Sequence, residues 1–303
     1  MTLTTFHGGA SSENAQGYNR HLLQRRPGIF TAQERAMLNK VLFHQFPTLK
    51  SLLTRLQYEF ISMLGVRRDV LFMNFGYTAH HEGCELLPLH PDDEIHRYPL
   101  QLYHHVAKHA DWTNADALEV SSGRGGGASF IMRYFKPRSY IGVDFSHKAV
   151  EFCRQHHQME GLRFEHGNAE NLKFPDSSFD IVVNVEASLY YPNIEKFFGH
   201  VRRVLKPGGC FLYTDLRYEE KVEDWREQVR ALGMKIAREE EITENVLKAM
   251  EQDRERRIHL VNTYIPAILR KQFYHFAGLD MTSPEAMPHL EKRRYWYFVL
   301  QKI

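Results

Sequence analysis

The sequence predicts an α/β protein built on a mostly parallel, Rossmann-like sheet whose last strand runs antiparallel, with helices capping it from the N-terminus and from an insertion. Three observations predict this. From Ala117 onward, short apolar runs of strand length alternate with helical segments, the pattern of a parallel sheet covered on both faces. The first of these runs leads into a cluster of glycines, and the second ends in an acid. A Pro-Gly-Gly turn then precedes a fifth run, and an aromatic strand, RRYWYFVLQKI, closes the chain.

Taken in order, residues 1–30 read as a flexible leader rich in Ser, Gly and Asn. Between Thr31 and Leu64, Met37, Val41, Leu42, Leu49, Leu52, Leu53, Leu56 and Phe60 recur at helical spacing, and Pro47 divides them into two helices. The segment VLFMNFGYTAHHEGCELLP is more loop than helix, and Tyr98 to His109 reads as a further helix leading to the core. The strands expected next are ALEV running into SSGRGGG, SYIGVDFS, LRFEHGN, FDIVVNVEA and CFLYTDL, with helices around Lys148–His157 and Ile194–Leu205. Residues 218–277 turn charged and helical, broken at Pro266. The expected organisation is a leader (1–30), a helical N-terminal cap (31–114), a core (115–217 with 290–303) and a helical lid insertion (218–289).

The composition narrows the functional classes. A net charge of +2 gives no reason to expect a nucleic acid or anionic surface as partner. No apolar run approaches 18 residues and the first twenty residues lack the apolar centre of a secretory signal, so neither a membrane span nor export is expected. The three cysteines, Cys84, Cys153 and Cys210, are odd in number and widely spaced, which argues against a disulfide framework and for a cytoplasmic setting. The histidines form no convincing ligand set, so metal-independent chemistry is expected.

In an open α/β sheet the ligand lies beyond the carboxyl ends of the strands. There the first strand delivers Ser121-Ser122-Gly123-Arg124-Gly125-Gly126-Gly127. Glycines allow close backbone approach, and the N–H groups of the following helix suit a carboxylate. Gly123 to Ala128 also satisfies the dinucleotide pattern G-x-G-x-x-G/A, and Asp144, about 20 residues on, would hold a ribose diol in either class. Three features favour S-adenosylmethionine over a nicotinamide. Glu119, just before the glycines, would organise the loop and meet a cationic methionine end, whereas it would repel a pyrophosphate. Asn168-Ala169 after strand three offers polar groups to an adenine edge. Strand four ends in Asn184-Val185-Glu186, and Lys206-Pro207-Gly208-Gly209 precedes strand five. Ser121, Gly123, Gly125 and Phe145 complete the expected cofactor set, with Tyr77 and Phe75 as walls aided by attraction between sulfonium and ring.

The series LEVSSGRGGG, GVD, GNAENLKFPDSSFDIVVNVEAS and VLKPGG resembles the class I S-adenosylmethionine-dependent methyltransferases in order and spacing, over about 100 residues. FMNFGYTAH, LQLYHHV, EVSSGRGGGASF, VNVEASLYYP, YTDLR and NTYIPAILR carry a closer resemblance, to the phthiotriolone/phenolphthiotriolone dimycocerosate methyltransferases and related polyketide O-methyltransferases. It implies methyl transfer to a hydroxyl of a lipid-like acceptor, free or bound to a carrier. Two positions depart from the pattern: Asn168 stands where Asp is usual, and Leu189-Tyr190 where related enzymes often carry His.

An alcohol acceptor must lose a proton, for which a histidine or a carboxylate serves. The expected bases are His104, His105 and Glu186, with His80 and His81 as further histidines near the glycine-aromatic loop. Phe75, Tyr190, Tyr191, Tyr264 and Phe273 are expected to line the acceptor pocket, although aromatic helix faces also arise as plain core. The run Arg254-Glu255-Arg256-Arg257 reads as a solvated face. Three alternatives stay open on the residues: methylation at carbon of an isoprenoid, sterol or quinone, a non-methylating cyclase on the same fold, and a nicotinamide oxidoreductase.

Overall fold

The computed structural model describes residues 70–79, 87–279 and 292–303. The expected leader, the helices between Thr31 and Leu64, and His80, His81 and Cys84 lie outside these residues.

An irregular strap, 70–79, opens the described chain. A 3-10 turn, Pro91–His96, leads into α1 (Arg97–Ala107). Then follow β1 (Asp116–Val120), α2 (Gly126–Tyr134), β2 (Ser139–Asp144), α3 (His147–His156), β3 (Leu162–His166) and β4 (Phe179–Val185). The chain continues through α4 (Ile194–Val204), β5 (Leu205–Tyr218), α5 (Val222–Arg230) and β6 (Lys235–Glu241). It ends with α6 (Thr243–Gln252), α7 (Arg254–Tyr264), α8 (Arg270–Phe276) and β7 (Arg293–Gln301).

The seven strands form one sheet in the order β3-β2-β1-β4-β5-β7-β6. Strands β1 to β5 pair in parallel, and β7 runs antiparallel to both of its neighbours. Successive strand residues point to opposite faces, so neighbours in sequence enter different cores. Ala117, Ile181 and Leu212 pack with Leu102, Val106, Phe130 and Ile131 of α1 and α2. Leu118, Val182 and Phe211 pack on the other face with Phe197 and Val201 of α4 and with Trp225 and Val229 of α5. Burial on both faces explains why the central strands read as nearly continuous apolar runs.

One expectation is corrected here. Residues 235–241 form a strand, not part of a helical lid. The sequence KIAREEE looks helical because of its charges, yet β6 is an edge strand with a single neighbour, a place where charged residues are tolerated. Arg226 of α5 anchors it through Glu239 at 2.6 Å. The helices α6 to α8 do fall in the insertion, and Val261, Ile265 and Phe273 pack with Val70 and Met73 of the strap.

Capping follows the local sequence. Ser146 Oγ accepts the Ala149 N–H at the start of α3, and Asn193 Oδ1 accepts the Lys196 N–H at the start of α4. Gly125, with φ of 76°, turns the chain left-handed into α2.

Candidate functional site

The strand order reverses between β1 and β4, which splays the following loops and leaves a crevice at the carboxyl edge. That crevice is a cavity walled by Ser121–Arg124, Gly126 and Gly127 after β1, by Asp144–Ser146 after β2 and by Gly167–Glu170 after β3. Val185–Ala187 and Tyr190–Pro192 after β4 close the far side, and Leu71, Phe72, Met73 and Asn74 of the strap roof it together with Tyr103.

The glycine loop is shaped by its neighbours. Ser121 and Gly123 both carry positive φ, 62° and 55°. The Gly123 N–H donates to Asp144 Oδ2 at 2.8 Å, and the Ser146 N–H donates to Oδ1 at 2.9 Å. Glycine is demanded by packing at the start of α2. A Cβ on Gly126 would lie 2.7 Å from the Phe72 ring, and one on Gly127 would lie 2.0 Å from the Tyr103 ring. The strap and α1 therefore sit directly on the first turn of α2, where backbone N–H groups have no partner within the helix.

These features match a nucleoside joined to an amino acid. Asp144, Asn168 and Ala169 line one cavity together with Gly126 and Gly127 of the first turn of α2, which brings a carboxylate, an amide and helix N-terminal N–H groups into one space. The space beside the first turn of α2 is tight, because a Cβ at Gly126 would meet the Phe72 ring and one at Gly127 the Tyr103 ring.

Other expected cofactor residues stand behind this wall. Glu119 is 1% exposed, with its oxygens on the hydroxyls of Tyr103 (2.7 Å) and Tyr140 (3.2 Å). Burial pushes its carboxyl up to about 7, so it organises the loop from beneath and has no cavity surface with which to meet a methionine end. Asn184 is fully buried and donates to the Val120 carbonyl and to the Tyr191 hydroxyl. That hydroxyl also pairs with Ser121 Oγ at 2.6 Å, which fixes Tyr191 as part of the wall. Gly125 lies just outside the lining, against His157, Phe164 and Cys153. Tyr77 stacks on His105 and does not cover the cavity.

The two histidines of α1 also face elsewhere. His105 is buried between the rings of Tyr77 and Tyr297, and burial pushes it down to about 3. His104 packs near Phe135. Neither lines the cavity; their neighbour Tyr103 does. The Tyr264 and Phe273 side chains also fall outside the lining, Phe273 in the cluster against the strap. Of the expected acceptor residues Tyr190 and Tyr191 line the cavity, whereas Phe75 turns its ring to a small apolar pocket with Leu216, Val246, Met250 and Tyr295.

Glu186 does reach the cavity. It follows β4 in a left-handed conformation, φ 51°, that few non-glycine residues adopt. Its Oε1 accepts the backbone N–H of Phe75 at 2.8 Å, which ties the roof to β4. Burial raises its carboxyl to about 8, opposed by the Tyr295 hydroxyl, the Phe75 N–H and the charge of Arg257, and the residue lines the cavity.

Two functional elements escaped the sequence reading. Tyr103, Phe72 and Met73 form the roof; the glycines were read only as allowing close backbone approach to a ligand. Arg257, expected on a solvated face, is only 7% exposed and reaches the strap. No group of three or more His, Cys, Asp or Glu among the described residues could hold a metal ion, and none of the described helices is long and apolar enough to cross a membrane.

Comparison with known proteins agrees with this geometry. Residues 118–213 match the methyltransferase domain model. The chain is 36% identical over 231 residues to a fatty-acid O-methyltransferase of Mycolicibacterium smegmatis, covering 76% of this chain and 84% of the relative. It is 37% identical over 215 residues to the phthiotriol/phenolphthiotriol dimycocerosates methyltransferase of Mycobacterium tuberculosis, covering 71% and 79%. Among solved structures, the [4+2]-cyclase SpnF superposes with a TM-score of 0.63 at 17% identity, over 82% of this chain and 94% of that one. The geranyl diphosphate C-methyltransferase of Streptomyces coelicolor A3(2) gives 0.58 at 15% identity, over 82% and 98%. Identities this low establish a shared fold only.

Proposed function

The chain belongs to the S-adenosylmethionine-dependent methyltransferases, and from that premise we propose that it methylates a hydroxyl group of a lipid-like acceptor, free or carrier-bound, with Glu186 as the base. One observation carries this reading. Glu186 is a carboxyl group on the cavity wall whose proton affinity burial has raised to about 8, in the range useful for general-base work near neutral pH. The acceptor class draws support from the apolar roof of Leu71, Phe72 and Met73 with Tyr190 opposite, and from the relatives, whose names refer to fatty acids and phthiotriol lipids.

When bound, S-adenosylmethionine supplies an electrophilic methyl group on a sulfonium. Asp144 would hold the ribose hydroxyls, Asn168 and Ala169 the adenine edge, and the first turn of α2 the amino-acid carboxylate. The roof and Tyr191 exclude water and restrict the acceptor to one approach. Holding reacting atoms in line is worth up to roughly 7–11 kcal/mol in intramolecular models. Ionised Glu186 then takes the acceptor's hydroxyl proton while the Phe75 N–H holds Oε1 in place. His105 cannot share this task, because it is neutral, buried and turned toward Tyr297.

The test is to supply methyl-labelled S-adenosylmethionine with 2-hexadecanol, with hexadecanoic acid and with an aromatic phenol bearing an open ring carbon, then locate the label by NMR. A methyl ether on the alcohol is the expected product. A methyl ester alone would move the acceptor to carboxylates, and a new carbon–carbon bond would move the chemistry to carbon. Tight cofactor binding with no label transferred while the acceptor rearranges would leave a cyclase.

A further inference from the structure

Arg257 lies on α7 in a run whose charges suggest a solvated face, yet its guanidinium is buried and reaches three separate segments. Nη2 donates to the carbonyls of Phe75 at 2.8 Å and Asn74 at 3.3 Å, and Nη1 to that of Ala277 at 3.3 Å. Nε donates to Asp253 Oδ2 at 3.1 Å. Asp253 is itself 4% exposed and also takes a two-pronged contact from Arg256. A buried charge of this kind is costly unless paired and hydrogen-bonded, and here two guanidinium groups share one carboxylate. Arg257 thus lies beside the strap whose Phe75 N–H meets Glu186.

We propose that Arg257 is the positioning residue for Glu186: by gripping the carbonyls of Asn74 and Phe75 it fixes the peptide that presents the Phe75 N–H to the Glu186 carboxylate. The inference rests on the reading of Glu186 as the base. The rest of the strap is anchored elsewhere. Tyr77 N–H donates to the Tyr98 carbonyl, and Thr78 exchanges hydrogen bonds with Asn245 through both its N–H and its carbonyl. Loss of Arg257 should therefore loosen residues 74 and 75 without freeing the whole strap. Arg257 is also the cation that faces Glu186. The other titratable groups facing it are Asp215 from β5, Tyr295 from β7 and Tyr103 from α1. Among these described groups, the arginine favours the ionised carboxylate by charge, whereas Asp215 opposes it.

The experiment compares Arg257→Gln, Arg257→Lys and Asp253→Asn with Glu186→Gln, using labelled S-adenosylmethionine and 2-hexadecanol for turnover. Calorimetry with S-adenosylhomocysteine and amide hydrogen exchange supply readouts independent of activity. In Arg257→Gln, exchange of the Phe75 amide should rise about tenfold or more while the Tyr77 and Thr78 amides stay protected. Its kcat should fall about tenfold or more with homocysteine-nucleoside affinity within about threefold, and the acid limb of the kcat profile should move to higher pH. Arg257→Lys keeps the charge but not the fork, so the limb should return toward the wild-type position while kcat recovers only in part. Should Arg257→Gln fail to fold, Asp253→Asn and Arg257→Lys decide by the same exchange measurement. Unchanged Phe75 exchange, or equal loosening of residues 75, 77 and 78, overturns the assignment. Wild-type turnover in Glu186→Gln overturns the base reading and this assignment with it; an impaired Glu186→Gln beside normal Arg257 and Asp253 variants overturns this assignment only.

Discussion

The Tyr103 hydroxyl donates to Glu119 Oε1 at 2.7 Å, beneath the glycine loop. This bond joins the roof helix to the first strand and keeps a carboxyl group in a fully buried place, with Tyr140 as its second donor. Burial raises its folded-state value from 4.5 to about 7. Between those limits the folded protein holds a proton that the unfolded chain has released, so stability falls as pH rises across that window and levels off above it. The shift sets an upper size of about 3 kcal/mol. Urea midpoints at pH 5 and pH 8 should fall steeply for the wild type and less steeply for Glu119→Gln. Some slope should remain, because Glu186 acts in the same sense up to about pH 8. An equal fall in both proteins would show that Glu119 is ionised in the fold.

Turnover should depend on the ionised form of Glu186. The expected kcat profile rises through about pH 8 on its acid side. Glu186→Gln should lose roughly 10²–10⁴-fold in kcat, with cofactor affinity nearly unchanged. Rate measurements with the alcohol acceptor against pH check both statements, and a flat profile for the wild type would remove Glu186 from the chemistry.

Two glycines should respond in opposite directions to alanine. Gly127→Ala places a methyl group 2.0 Å from the Tyr103 ring, and overpacking of this kind costs about 1–3 kcal/mol. It should also weaken S-adenosylhomocysteine binding, since Tyr103 and the first turn of α2 must part. Gly199, inside α4 and exposed, has nothing within 4 Å of an added Cβ. There alanine should stabilise by about 1 kcal/mol through helix propensity. Melting temperatures of the two variants, with calorimetry on the first, test the contrast.

Asp144→Ala removes the acceptor for the Gly123 and Ser146 N–H groups and the expected partner of the ribose. Cofactor affinity should fall about 100-fold or more, as for loss of a charged acceptor of hydrogen bonds, while the fold persists because the residue sits at a strand end. Unchanged affinity by calorimetry would place the cofactor elsewhere.

His104→Asn should leave kcat within about threefold of wild type, because the ring packs near Phe135 rather than in the cavity. A loss comparable to that of Glu186→Gln would reverse the assignment of the base.

Much of the architecture is written in local sequence. Strand-length apolar runs, the glycine cluster after Val120 and the acid at Asp144 specify a parallel sheet and its carboxyl edge, since each depends on neighbours a few residues away. The Pro-Gly-Gly segment, expected as a turn before the fifth strand, lies within β5, where the pairing with β4 shifts register. The aromatic strand at the C-terminus likewise announced itself, and β7 is antiparallel to both of its neighbours. β6 did not, because an edge strand rich in Glu and Arg has the composition of a helix and only its pairing with β7 makes it a strand.

Which side chains face the cavity was decided by tertiary packing. Tyr103, His104 and His105 are consecutive on one helix, about 100° apart, and the sequence has no means of saying which one points at α2. Contact with Gly127 turns Tyr103 inward and sends His105 to Tyr297. Glu119 and Asn184, polar residues near the site in sequence, became internal supports once α1 and Tyr191 covered them. Glu186 gained its proton affinity and Arg257 its role only where residues 111 and 182 positions from Phe75 meet that strap residue. Sequence periodicity reports a residue's nearest chain neighbours; burial, charge and orientation at a site come from segments that only the fold brings together.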